Sequence, residues 1–300
     1  MPTEAIGLRR ELRDLLELVL IPGTVALLPW ALGFRVLRFI SRHSWPYRGL
    51  GDDALAQIMV VQPPPDPQTW RGEYRLTQIV ELTDYWLSSL RSDRWLERHM
   101  RVEGEWPGQG PFIALGFVWG NAGFWCLRQL GAAGLKRALV YRPVEPEERN
   151  SGWVRYHYFR ARMRHFHRAA GGPGVPTGGA WERIQELFRE QHAIVVVADA
   201  PPLGAHSTLD IRLLGRPAQF RTGILRLVVE SGVPVVMYSV RLDRDTGQRI
   251  LRVQEPIQPR DVGQLAAAAA GQLDRLLRED SAGWAYWTGA DGFFVDVDPP

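Results

Sequence analysis

The residues able to do chemistry gather at a few places. One is Pro111–Trp125, PFIALGFVWGNAGFW, where an apolar run from Phe112 to Val118 meets Gly120-Asn121 and then a second apolar run, Phe124 to Leu130. This predicts a buried strand turning into a helix, with side chains and free N–H groups presented at the strand's carboxyl end. Another is Asp199, which closes the apolar run Ala193–Ala198 and precedes a Pro/Gly loop reaching Gly204. A third is the basic stretch RYHYFRARMRHFHR, Arg155–Arg168. Group transfer to a hydroxyl needs a base, for which histidine suits because its pKa lies near 7. It also needs a carboxylate to orient that histidine, and Arg or N–H donors to steady an oxyanion. Cys126 is the only cysteine, so no intramolecular disulfide forms. Among Phe124, Trp125 and Leu127 it reads as core filler, and no metal-ligand cluster of Cys and His is present.

Alternating strands and helices must position these groups. Leu76, Ile79, Val80, Leu82, Trp86 and Leu90 are spaced for one apolar side of a helix within Tyr74–Met100, after the Pro-rich break QPPPDPQ at 62–68. Val102–Trp106 leads into the strand at Phe112. Strands are expected at Arg137–Tyr141, Ala193–Ala198, Ile211–Leu214, Val233–Arg241 and Arg249–Gln254. Helices are expected at Trp153–Arg168, Ala180–Gln191, Thr222–Ser231 and Ala266–Arg278, before a Trp/Phe-rich tail. The alternation predicts an α/β fold with a mostly parallel central sheet flanked by helices.

The segment at Pro111–Trp125 resembles the acyl-acceptor signature of the lipid A biosynthesis acyltransferases, in the lysophospholipid acyltransferase superfamily. There a His follows the strand and an acidic residue follows five positions later, around a Gly-Asn pair. Aligned on Gly120-Asn121, those places hold Val118 and Gly123. Three further blocks carry the resemblance in order. Tyr141-Arg142-Pro143 with Glu145-Pro146 and the Arg-bearing helix looks like the family's YRP segment. Ala198-Asp199-Ala200 looks like its Asp-bearing loop. Leu214-Gly215-Arg216-Pro217-Ala218, with Thr222-Gly223 and Ser231-Gly232-Val233-Pro234-Val235, looks like its phosphate-side block. Together they span roughly 95–256. The family's C-terminal WLHRR-like ending is represented only by Trp284-Ala285-Tyr286-Trp287.

By resemblance, substrate-binding roles fall to Asn121, Arg142, Gly215, Arg216 and Thr222, and to one among Arg160, Arg162 and Arg164. Val118 can neither take a proton nor accept a hydrogen bond from its side chain, and Gly123 has none. Losing a general base costs about 10²–10⁴-fold. Of His43, His99, His157, His165, His167, His192 and His206, none has an acidic residue five positions on. His206 has Asp210 four positions on and lies in the loop after Asp199. Asp199 with His206 is therefore the one substitute catalytic pair expected. His165 and His167 lie in a basic run and read as solvated.

The 300 residues, 45% hydrophobic and 23% charged, suffice for a sizeable core. The formal net charge is +3 and almost all of the positive charge is Arg, since Lys136 is the only lysine. A GC-rich genome accounts for such a bias; so does a need for the guanidinium fork on phosphate and carboxylate. The Arg-rich helix reads first as a solvated basic face, and otherwise as recognition of phosphate, anionic lipid or an acidic carrier protein. No nucleic-acid-binding motif is present.

Near the N-terminus an uncharged run of 17 residues, Leu18 to Phe34, is interrupted by Pro22 and Pro29 and flanked by charge on both sides. A spanning helix needs about 20 residues. The expected reading is a kinked hydrophobic anchor lying in or dipping into a membrane, with a short span or an ordinary buried hairpin as the alternatives. The expected organisation is an anchor over 1–45 and one acyltransferase-like domain over 46–300. The resemblance implies the cytoplasmic face of a bacterial inner membrane, with membrane lipids and an acyl carrier protein or pathway protein as partners, and no nucleic acid. No cofactor or metal is expected, beyond an acyl-carrier or acyl-coenzyme A thioester as donor if the protein is active. Two functions stay open: a non-catalytic relative that binds lipid, acyl chain or partner, and an acyltransferase with a non-standard base.

Overall fold

The computed structural model describes residues 7–43, 45–47, 49–120, 122–143, 152–171, 174–177, 180–200 and 207–295. Asn121, His206 and Glu145-Pro146 lie outside the described residues.

Seven strands form one sheet in the order β1 (Met100–Glu103), β9 (Arg249–Val253), β8 (Val235–Leu242), β2 (Phe112–Gly116), β5 (Ala193–Val197), β3 (Arg137–Tyr141), β4 (Val175–Pro176). The strands from β8 to β4 run parallel, and β9 returns antiparallel to β8 with β1 parallel to it. This is the mainly parallel α/β sheet expected. β2 lies between β8 and β5 and is buried on both faces, as a strand covered by helices on each side must be.

The period of two along these strands divides the core. Ile113, Leu115 and Phe117 face one layer with Ile194, Val196, Val235 and Met237; α9 (Trp181–Arg189), α10 (Thr222–Ser231), α11 (Val262–Asp280) and the C-terminal aromatic residues cover it. Phe112, Ala114, Ala193, Val195, Val236 and Tyr238 face the other, under α7 (Ala122–Ala132), the N-terminal helices and α5 (Pro67–Leu90). Asp66 caps α5 by accepting from Gln68 N at 3.0 Å and Thr69 N at 3.2 Å, with Pro67 in the first turn, so the Pro-rich break serves as a helix start. The chain then leaves the helix at Arg91, and α6 (Asp93–Arg98) is a separate turn capped by Ser92.

The N-terminus is helical but folded into the molecule. α1 (Leu8–Asp14) passes through a wide π turn (Leu15–Leu20) into α2 (Ile21–Leu27); extended Leu28 before Pro29 breaks the chain, and α3 (Trp30–Ser41) follows. Val25, Ala26, Trp30, Phe34 and Leu37 pack into the core beside α5. Glu11 accepts the first N–H groups of α8 (Trp153–Ala170), from Trp153 at 2.7 Å and Val154 at 3.0 Å, while buried Asp14 pairs with Arg155 at 2.7 Å. The chain is kinked at Pro29, as expected of the uncharged run, and no long apolar helix is found here. The uncharged run is cut by the π turn and by Pro29, and no helix among the described residues is long and apolar enough to cross a membrane.

A two-stranded hairpin, β6 (Thr208–Leu213) and β7 (Arg216–Arg221), stands apart from the sheet. Leu214 and Gly215 both take positive φ, 53° and 79°, which makes a tight two-residue turn matched to strand twist. The sequence pattern places no strand over Arg216–Arg221, and β7 is an addition to the expected elements. Pro217 turns its N and O away from β6, toward the C-terminal segment, where its O accepts from Val295 N at 3.2 Å and Gln219 N donates to Phe293 O at 2.8 Å, so its missing N–H removes no bond from the β6–β7 ladder.

Candidate functional site

Register decides what meets at the carboxyl end of the sheet. β2 and β5 pair in parallel with Gly116 opposite Val197, so two residues further on Val118 stands opposite Asp199. Val118 N lies 3.0 Å from each Asp199 carboxylate oxygen, and Ala198 N donates to Gly116 O at 2.9 Å. The second donor to the carboxylate comes from far along the chain: Trp284 Nε1 reaches Asp199 Oδ2 at 2.9 Å. Asp199 is completely buried. Burial pushes its carboxyl up to about 6, although the Trp284 and Val118 donors pull the other way.

The C-terminal segment closes this end. Ala285 N donates to Val118 O at 3.0 Å, and Trp119 and Trp284 pair as a short antiparallel bridge. Trp119, Trp284, Trp287 and Phe293 are fully buried there, with Trp284 set edge-on to Trp287 at 5.0 Å and against Phe293 at 5.1 Å. α5 holds the segment from beneath: Tyr74 Oη donates to Ala285 O at 3.1 Å and Trp70 Nε1 to Ser281 Oγ at 2.8 Å. Gly283 must be glycine for this packing, since a Cβ there would stand 1.8 Å from Trp119 Nε1. Trp284 is the partner that sequence reasoning missed. The available signal was the aromatic tail itself, at the place where the resemblance expects a basic ending.

The other expected residues scatter. Val118 keeps a partly exposed side chain, and Gly123, in the first turn of α7, is 3.5 Å from Phe166 at the point where a Cβ would sit. Arg142 follows β3, at the same end of the sheet as Asp199 but beyond β5. On α8, Arg160 and Arg164 are exposed, with Arg160 over the Tyr156 ring at 5.4 Å. Arg162 turns inward, pairs with Glu81 and lies 5.7 Å from the Phe166 ring. Gly215 sits in the hairpin turn, and Arg216 donates to Val60 O of α4 (Asp52–Val61). Thr222 starts α10 at the opposite end of the hairpin, with Oγ1 3.3 Å from Ser207 O. Six strand residues separate it from Gly215, roughly 20 Å at the usual rise. Of the expected pair, Asp199 alone can be placed.

His165 and His167 are not solvated. His165 stacks on Phe124 at 5.1 Å and stands edge-on to Tyr85 at 5.7 Å; burial, then the charges of Arg128 and Arg168, push its pKa down to about 4. His167 packs against Tyr141 at 4.5 Å, and burial lowers its pKa too. Both rings belong to the aromatic seam between α7, α8 and their neighbours. Cys126 is fully buried on α7, and burial raises its thiol pKa, so it is not a poised nucleophile.

No protein-family model matches this sequence, and no curated protein matches it. Among solved structures, a similarity is found to the 1-acyl-sn-glycerophosphate (LPA) acyltransferase PlsC from Thermotoga maritima, at 15% identity and a TM-score of 0.35, covering 90% of this chain and 98% of that one.

Chemically, the arrangement is a closed carboxylate rather than an open reaction centre. The Asp199 oxygens take N–H donors from the β2 end and the C-terminal segment, and the place beside them that the sequence resemblance reserves for a base holds Val118.

Proposed function

We propose that this protein is a membrane-associated, non-catalytic relative of the lipid A biosynthesis acyltransferases, binding a lipid, an acyl chain or a partner protein without turnover. The observation that carries the reading is the use made of Asp199. Its carboxylate ties Val118 at the end of β2 to Trp284 in the tail, and buried aromatic rings fill the space around it. Both carboxylate oxygens accept N–H donors, and neither donor can take a proton from an acceptor hydroxyl. The exposed side chains Leu20, Leu27, Leu32, Phe39 and Trp45, between 49% and 70% accessible, support an interfacial mode of membrane association over the N-terminal helices.

One observation favours the second reading, an active acyltransferase. A carboxyl raised to about 6 exchanges its proton near neutral pH, a property associated with acid–base residues. Asp199 would then act with His206 on an acyl-carrier or acyl-coenzyme A thioester and a lipid or sugar hydroxyl.

Incubation of the purified protein with labelled acyl-carrier and acyl-coenzyme A donors plus membrane lipids separates the two. No transferred chain is expected from the wild type, and a gain is expected from Val118→His combined with Gly123→Glu. Turnover by the wild type that is lost in both Asp199→Asn and His206→Ala would establish the enzyme instead.

A further inference from the structure

Away from Asp199, on the side of α5 opposite Trp70 and Tyr74, a cavity of about 420 Å³ opens between α3, α5 and the β8–β9 turn. Five arginines line it: Arg38 from α3 and Arg42 just past its end, Arg71 and Arg75 from α5, and Arg244 from the turn. Arg38/Arg42 and Arg71/Arg75 are each four residues apart on one helix, the spacing at which like charges repel. Asp52 offsets the Arg71 charge in the second pair, whereas the Arg38/Arg42 pair, at the C-terminal end of α3, has no acidic partner among the described residues.

The acids present do not neutralise it. Glu73 and Asp245 line the cavity, and Glu73 stands 3.7 Å from Arg244. Arg244 also pairs with Asp280 at 2.6 Å, and Arg71 with Asp52 at 3.0 Å. Arg38 and Arg42 form no ion pair among the described residues, and Arg42 is exposed. Arg75 is nearly buried and donates Nη2 to Tyr47 O at 3.0 Å, which fixes its guanidinium in the cavity wall. Burial, and then the neighbouring Arg71 charge, lower its pKa, while Asp52 acts the other way.

We propose that this cavity is a binding site for a phosphate group, seated between the Arg38/Arg42 and Arg71/Arg75 pairs. Guanidinium forks suit phosphate oxygens, and a dianion between the four charges converts two repulsions into attractions. The group is either a free phosphomonoester or the headgroup of an anionic lipid. On the α3 wheel, Leu32 and Phe39 point outward next to the Arg38/Arg42 edge, so a headgroup in the cavity would leave acyl chains beside an exposed apolar stripe. This site does not depend on whether the protein transfers acyl chains.

The test uses the full chain in two arms at low ionic strength: titration calorimetry with inorganic phosphate, and cosedimentation with phosphatidylcholine vesicles with and without phosphatidic acid. Arg38→Gln with Arg42→Gln should weaken binding about tenfold or more, as expected for removing charge-assisted hydrogen bonds. Arg275→Gln with Arg278→Gln, which removes the same charge from α11, should change it little. Dependence on Arg38/Arg42 in the phosphate arm assigns a free anion, and dependence only with phosphatidic acid assigns a lipid headgroup; both support the site. Phosphate should also raise the melting temperature of the wild type and not of the Arg38/Arg42 variant, a readout that holds even if the variant is less stable. Binding that ignores Arg38 and Arg42 in both arms, or falls equally in the α11 control, overturns it.

Discussion

Asp199 is the residue on which the carboxyl end of the sheet is built. A carboxylate with no exposure is costly unless its oxygens are satisfied, and here they are, by the Val118 N–H and the Trp284 indole. Both donors favour the charged form, so their worth grows as the carboxyl ionises. Trp284→Phe keeps most of the ring volume and deletes one donor. It is expected to cost about 1–3 kcal/mol, more at pH 8 than at pH 5, because the carboxyl ionises as pH rises through about 6. Urea unfolding at the two pH values checks both the size and the direction. A second buried carboxylate, Asp84, shows the same logic without any link to the site: Arg249 pairs with it and Trp125 Nε1 donates to it at 2.8 Å, locking α5, α7 and β9 together.

At the scale of elements, the N-terminal helices do two jobs at once. One side of α3 packs Trp30, Phe34 and Leu37 into the core, while Leu32 and Phe39 face solvent at 49% and 65% accessibility. Deleting residues 1–44 would therefore strip the core as well as any membrane contact. Substituting the outer face separates the two. Leu32→Gln with Phe39→Gln should leave the melting temperature within a few degrees of the wild type. It should weaken cosedimentation with phosphatidylcholine vesicles by about tenfold or more, given about 1.5–3 kcal/mol for each large apolar side chain removed from water. Unchanged sedimentation would remove this face from the membrane reading. The elements themselves were largely legible from the sequence: β3 and α10 fall where the apolar patterns put them, whereas α5 starts at Pro67, inside the expected break, and ends at Leu90 rather than Met100. The hairpin strand β7 was not, because its partners are β6 and the C-terminal segment rather than the central sheet, and pairing of that range leaves no local period to read.

For the whole molecule, the balance of buried titratable groups sets the response to acid. His165 has its pKa pushed down to about 4, so below about 6.5 the unfolded chain takes up a proton that the fold refuses. Stability is lost as pH falls through that window, and His99 and His167, also lowered by burial, add to the loss. Asp199 acts the other way. Its folded pKa, about 6, exceeds the ordinary 3.8, so its contribution is full below 3.8 and is lost as pH rises through about 6, roughly 3 kcal/mol in all. Between pH 4 and 6.5 the two effects oppose each other. Asp199→Asn should make the unfolding free energy fall more steeply on acidification, and His165→Phe should flatten or reverse the fall, as read from urea curves across that range. Parallel slopes in all three proteins would mean that neither group titrates as its surroundings require.

The sequence by itself determined the alternation that makes a mainly parallel α/β sheet, the strand-to-helix turn at Gly120, and the absence of a histidine at position 118 and of an acid at position 123. Those are properties of residue type and short-range period, which the chain carries locally. Tertiary structure decided what replaces them. Val118 meets Asp199 only because β2 and β5 pair in one register, and Trp284 meets both only because the C-terminal segment folds back across the sheet from 85 positions away. It also decided which of three arginines on α8 turns inward, and it gathered Arg38, Arg71 and Arg244 from three elements around one cavity. Contacts of that range depend on how layers stack, and no local pattern of residue types encodes them.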